Sequence, residues 1–364
     1  MKKLYRVIMQ SKESDMNNPF TIAFGSVPEN FISRPSQTNK LIDNFIAEKP
    51  STPIYMITGV RGSGKTVMLT EVAGKLSERS DWITVEINPE DDMMSSLISK
   101  LYNIEKIHPL FAKAKLNISI KGKGLSIEND APTMNDEVVL EKMLQILKKQ
   151  NKRLMVAIDE VVNNQHIKKF AHEFQILIRK NYDIYLLMSG LYENIYNLQN
   201  EDSLTFLYRA PRIVLEPLNM MMISRSYANI FNLDSEKANY LSKLTQGYPF
   251  AYQVLGYLRW DNPEQSEDNL IAMYDQYLSE YVYDKIWSEL SDKDKTIIDK
   301  ISQSNDYVKT QQIREELEMS SSLFSVYRDK LIRKGLLDIS KYGYLRLVLP
   351  RFSEYVSYRK EFDI

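Results

Sequence analysis

The chain has 364 residues, of which 43% are apolar and 26% charged, a composition that excludes disordered and fibrous proteins. Lys and Arg number 47 against 48 Asp and Glu, so the net charge of −1 gives no whole-chain argument for nucleic acid or for a membrane surface. The absence of Cys rules out disulfides, thiolate catalysis and cysteine-based zinc sites.

The start of the chain is basic, but its apolar stretch is too short for a secretory signal. No apolar run approaches the roughly 18 residues of a membrane span, so a cytoplasmic protein without membrane contact is expected. Residues 1–50 are turn-rich (Asn17, Asn18, Pro19, Gly25, Pro28) and close on a short helix over 39–46. Residues 54–58 read as a buried strand that runs into a glycine-rich turn, and apolar residues at helical spacing follow over 67–76. Residues 82–88 make a second strand and 93–102 a second helix. Over 116–128, apolar residues alternate on either side of Lys121-Gly122-Lys123-Gly124, which predicts a β-hairpin inserted at about 115–129. That insertion is expected either to project as a contact element or to pack on another part of the chain.

A third strand over 153–160 ends in two acids, and Ile167, Phe170, Ala171, Phe174 and Ile178 follow at helical spacing. Fourth and fifth strands are expected at 184–188 and 212–218. Strands that are nearly all apolar and alternate with helices predict an α/β fold, a parallel sheet with helices on both faces. After Pro217 the strands stop. Residues 222–281 read as helical, broken at Gly247-Tyr248-Pro249 and near Asn262-Pro263. From Ser291 the pattern is helix, helix, helix and a hairpin turning at Lys341-Tyr342-Gly343, the order of a winged helix. The expected domains are 1–216, 217–285 and 286–364.

The strongest chemical signal is Gly59-Val60-Arg61-Gly62-Ser63-Gly64-Lys65-Thr66, a phosphate-binding loop between a buried strand and a helix. Its glycines let successive N–H groups face an anion, and the helix N-terminus adds positive dipole. Lys65 would reach the β- and γ-phosphates of ATP and Thr66 would ligate Mg²⁺. Asp159, delivered by the third strand, would stand beside that Mg²⁺, and Glu160 would polarise a water toward the γ-phosphate. The intervening strand marks the loop ATPases with an extra strand between loop strand and acid strand. In ATPases of that extra-strand class a polar residue at the tip of this strand senses the γ-phosphate, and the resemblance makes Ser189 the candidate here. Related ATPases keep an arginine finger just before the fifth strand, so the resemblance makes Arg209, and second to it Arg212, the candidates.

Residues from about 28 to 260 resemble the archaeal-type ATPase family, near the STAND signalling ATPases, the AAA+ motors and the origin-recognition initiators. Phe31 and Arg34 match the box with which that family opens, while Ser33 and Pro35 stand where it has Gly and Glu. Gly247-Tyr248-Pro249 is similar to the family's Gly-x-Pro motif in the helical lid. The resemblance implies a P-loop ATPase core, an all-α lid, and nucleotide contacts from Arg34 and Pro249.

The tail adds a second clue. Over 324–360, nine basic residues face three acids, a local balance of +6. In a winged helix the third helix enters a major groove and the wing touches phosphates. Ser325, Arg328, Lys341 and Arg346 are therefore the candidates for contact with double-stranded DNA. The same module docks proteins in other settings, so a protein partner or self-association stays open beside DNA.

Overall fold

The computed structural model describes residues 17–23, 28–114, 118–121, 124–127, 135–304 and 306–362. The basic leading segment, Gly25 and the Gly122-Lys123 tip of the inserted hairpin lie outside them. The chain forms two compact units. One holds Ser33–Glu216 with Asp329–Leu336; the other holds Pro217–Arg328, the chain from Leu337 onward and the described residues before Ser33.

In the first unit, α1 (Pro35–Ile46) leads to β1 (Ile54–Thr58), α2 (Lys65–Ser77), β2 (Trp82–Glu86), α3 (Met93–Tyr102) and α4 (His108–Lys113). The short strands β3 (Ile118–Lys121) and β4 (Gly124–Ile127) pair antiparallel as the inserted hairpin. Then come α5 (Asp136–Lys149), β5 (Arg153–Ile158), α6 (Gln165–Arg179), β6 (Ile184–Gly190), α7 (Tyr192–Gln199), a 3₁₀ segment (Asp202–Arg209) and β7 (Arg212–Val214). The five long-range strands are all parallel, in the order β2-β5-β6-β1-β7. The order puts β6 between the loop strand β1 and the acid strand β5, as the sequence implies.

Alternation within each strand builds two cores. Ile54 and Met56 of β1, Leu154 and Val156 of β5, and Leu186 and Met188 of β6 join Leu97, Met143, Phe170 and Ile195 on one face. Tyr55 and Ile57, Met155 and Ala157, and Tyr185 and Leu187 join Leu41, Phe45, Leu69 and Val72 on the other. Because both faces are covered, the strands carry no polar alternation, which is why they read as continuous apolar runs.

Several boundaries differ from expectation. Helix α1 starts at Pro35 rather than at 39, because proline at the first helical position loses only an N–H that has no intrahelical partner. Helix α2 starts at Lys65, not 67, so Lys65 and Thr66 occupy its first turn. Strand β2 stops at Glu86, β5 at Ile158 and β7 at Val214, each shorter than its apolar run. Helices α4, α5 and α7 and the 3₁₀ segment have no counterpart among the elements expected from the sequence.

In the second unit, α8 (Met220–Phe231), α9 (Ser235–Thr245), α10 (Pro249–Asp261) and α11 (Glu267–Leu278) are followed by a π turn (Ser279–Tyr283) and α12 (Asp284–Ser288). Breaks fall at Gly247 and after Asp261 as expected, and also at Asn232, a left-handed residue before the Asp234 cap of α9. The tail runs α13 (Asp292–Ser302), β8 (Val308–Lys309), α14 (Thr310–Glu316), α15 (Ser321–Arg333, of which Asp329 onward belongs to the first unit), β9 (Leu337–Asp338), β10 (Tyr344–Leu347) and α16 (Phe352–Glu361). Strands β8, β10 and β9 form a small antiparallel sheet. Helix α16, absent from the sequence reading, is joined to α11 by Arg351, whose guanidinium grips Asp275 at 2.7 and 2.5 Å. No helix among the described residues is long and apolar enough to cross a membrane.

Candidate functional site

Between β1 and α2 the backbone turns through Gly62 (φ 69°) and Gly64 (φ 88°), left-handed positions that an L side chain would strain. The turn brings the N-terminus of α2, with its unpartnered N–H groups, to the loop. Lys65 folds back across it, its Nζ donating to the carbonyls of Val60 at 2.9 Å and Gly59 at 3.2 Å. Burial pushes the Lys65 ammonium down to about 8, against the opposing pull of Asp159 and Glu160. Ser63 is buried, and among the described residues its hydroxyl has no hydrogen-bond partner.

Strand β5 ends one residue before Asp159, and its carboxylate gathers three donors. Thr66 Oγ1 donates to Oδ2 at 2.6 Å, the Ser189 hydroxyl donates to Oδ1, and the backbone N–H of Glu160 reaches Oδ1 at 3.0 Å. Thr66 comes from the first turn of α2, Ser189 from the end of β6, and Asp159 from the loop after β5. Parallel pairing brings all three chain ends to one edge of the sheet, although Thr66 and Asp159 are 93 residues apart. Ser189 is fully buried, whereas Thr66 and Glu160 are exposed. Glu160 sits at a left-handed φ of 52°, a turn that a non-glycine residue adopts only at some cost. A threonine hydroxyl and a carboxylate are hard oxygen donors, the chemistry that suits Mg²⁺.

Arg34, at the N-cap of α1, donates from Nε to Glu216 O at 2.9 Å and from Nη2 to Ser63 O at 3.2 Å. Burial pushes its guanidinium down to about 10, with Glu216 and Glu71 opposing. The residue that the opening box singled out is thus tied to the phosphate loop. Arg209, at the end of the 3₁₀ segment, and Arg212, at the start of β7, are exposed, and among the described residues no hydrogen bond joins either to the loop or to Asp159. Pro249 is the first residue of α10, in the helical unit.

In the tail, Ser325 and Arg328 are half-buried on α15, and its exposed apolar positions are Leu323 and above all Val326, which is 61% exposed. Lys341 stands over the Tyr344 ring at 4.0 Å. Arg346 pairs with Asp338 at 2.9 Å and lies over Tyr307 at 4.7 Å. Part of the positive balance counted along the tail is met by acids outside that segment. Arg351 pairs with Asp275, Arg359 with Asp284 and Lys360 with Asp299, acids that lie upstream of the segment in which the charge was counted. No local pattern announced these pairs, because each joins residues 61 to 76 positions apart.

Residues 280–356 match a family described as a domain of unknown function, DUF8462. No curated protein matches the chain. Among solved structures the chain is similar to the Walker-type ATPase Paby2304 of Pyrococcus abyssi, at 14% identity and a TM-score of 0.66, over 93% of this chain and 99% of that one. It is likewise similar to the ORC2 protein of Aeropyrum pernix in its ADPNP–ADP complexes, at 14% identity and a TM-score of 0.59, over 94% and 97%. At such identity the likeness is one of fold. The fold expected from the sequence, a parallel P-loop sheet with helices on both faces followed by further domains, is the fold of the chain.

Proposed function

We propose that the chain is an Mg²⁺-dependent ATPase of the P-loop, AAA+-related class, working as a nucleotide-dependent switch whose winged-helix tail acts on double-stranded DNA. The observation that carries the ATPase reading is the convergence of Thr66 and Ser189 on the Asp159 carboxylate, beside the loop that Lys65 crosses. Lys65 would leave the Val60 and Gly59 carbonyls for the β- and γ-phosphates. Thr66 and Asp159 would hold the Mg²⁺, which when bound draws charge from the phosphoryl oxygens. Glu160, next in the chain and exposed, would orient a water, and Ser189 would keep Asp159 in place or turn to the γ-phosphate. Arg209 is the proposed finger, exposed as a residue reaching a phosphate from outside the loop must be.

Turnover of MgATP by the full chain tests the reading. Lys65→Ala is expected to lose nucleotide binding, and Glu160→Gln to keep binding and lose turnover. Hydrolysis by Glu160→Gln at the parent rate would remove Glu160 from the mechanism, and binding by Lys65→Ala at parent affinity would refute the site. For the tail, stimulation of turnover by double-stranded DNA and binding that weakens with salt support DNA as the partner. A specific observation favours a second reading, docking of a protein. Leu323, Val326, Ile339 and Tyr342 are exposed on α15 and the wing, and Tyr342 is wholly so. A tail with no DNA affinity at low salt would leave that second reading standing.

A further inference from the structure

Val60 of the phosphate loop makes two contacts at once. Its carbonyl accepts the Lys65 ammonium at 2.9 Å, and its side chain lies under Gly335, where an added β-carbon would come within 2.6 Å of Val60 Cγ1. Gly335 ends α15 at a φ of +72°. Its N–H bonds to Ile332 O at 2.8 Å and that of Leu336 to Leu331 O at 3.0 Å, the paired bonds of a left-handed helix stop. The two residues before it are held on α7, the helix that follows Ser189 and Gly190. Lys334 Nζ meets Glu193 Oε2 at 2.7 Å with only 16% of its side chain exposed, and the Arg333 guanidinium stands 4.8 Å from the centre of the Tyr196 ring. Asp329–Leu336 belongs to the same compact unit as the sheet, the phosphate loop and α7.

Resting on the ATP-site reading, we propose that residues 333–335 are a nucleotide-sensitive brace on the phosphate loop, with Lys334 and Glu193 as its positioning residues. While the brace is docked, Gly335 stands against the Val60 side chain and favours the loop arrangement in which the Val60 carbonyl holds Lys65. Nucleotide needs Lys65 elsewhere, so it must draw on the same residue that the brace holds. The two equilibria are then linked: loosening the brace tightens nucleotide binding, and bound nucleotide loosens the brace by the same factor. The close approach also explains why position 335 has no side chain.

The test is titration of the full chain with MgADP, in the parent, in Lys334→Glu, in Glu193→Lys and in the double charge swap. Each single variant is expected to bind about three- to fivefold more tightly than the parent, the range that one partly exposed ion pair allows, and the swap to return to parent affinity. Saturating MgADP should also speed amide exchange at 333–336 in the parent by a similar factor. Single variants that bind at parent affinity, or a swap that does not restore it, would overturn the brace and leave the ATP site intact. A parent that binds no MgADP would overturn the ATP-site reading and the brace with it.

Discussion

Ser189→Ala isolates the contact that holds the candidate site together. The Ser189 hydroxyl is fully buried and donates to the Asp159 carboxylate, so its removal deletes one hydrogen bond to a charged acceptor, worth about 1.5–3 kcal/mol. Alanine keeps the β-carbon, so only one oxygen's volume is lost and the cavity contribution is small. Asp159 retains Thr66 at 2.6 Å and the Glu160 N–H at 3.0 Å, which keeps the loss toward the middle of that range. The nucleotide-free protein should therefore lose about 2 kcal/mol, and Thr66→Val, at an exposed hydroxyl, about half as much. The measurement is urea unfolding of the parent, Ser189→Ala, Asp159→Ala and the double variant. In the double variant the two losses should fall short of additivity by at least about 1 kcal/mol, because both remove the same bond. MgATP turnover of Ser189→Ala should fall with little change in KM. Stability equal to the parent, or losses that add, would refute the reasoning.

Three further outcomes are expected. Burial raises the Asp338 carboxyl, but donation from Tyr307, Ser340 and Arg346 outweighs it and holds the group down at about 2. A carboxyl depressed in the folded state stabilises it fully above the unfolded value near 3.8 and loses that contribution as pH falls toward 2. With solvent screening discounted, acid unfolding monitored between pH 4 and 2 should show about 1 kcal/mol less of this loss in Asp338→Asn. Arg351→Ala, which leaves Asp275 without its paired donor, should destabilise the chain by about 2 kcal/mol in thermal unfolding; no change would mean that the pair is mere surface charge. If the tail binds DNA, replacing Lys341 and Arg346 together by Ala should lower the log–log salt slope by about 1 rather than about 2, because Arg346 is already neutralised by Asp338; a drop of about 2 would show that Asp338 releases it on binding.

Much of the candidate site could be read from residues alone because its parts are local. A phosphate loop is eight consecutive residues, and the acids follow directly from a run of apolar ones. Strand shortening was not legible, since an apolar run marks burial and not hydrogen bonding: Ile87 and Leu215 are buried just past the ends of β2 and β7. Helix α7 is not legible in the sequence because its eight residues show only two apolar positions facing the core, Ile195 and Leu198.

The division between the two kinds of information follows from range. Sequence alone determined the apolar strands of the sheet and the interposed strand, and it singled out Lys65, Thr66, Asp159 and Glu160 as candidates from spacings along the chain. Only the tertiary structure decided which groups meet. Parallel pairing of β1, β6 and β5 carries Thr66, Ser189 and Asp159 to one carboxylate. Folding also pairs Arg351, Arg359 and Lys360 with Asp275, Asp284 and Asp299, so part of the positive balance counted along the chain is answered by acids far from it in sequence. Charge is additive in a sequence, but an ion pair depends on distance in space, and that distance is set by packing between elements the sequence keeps far apart.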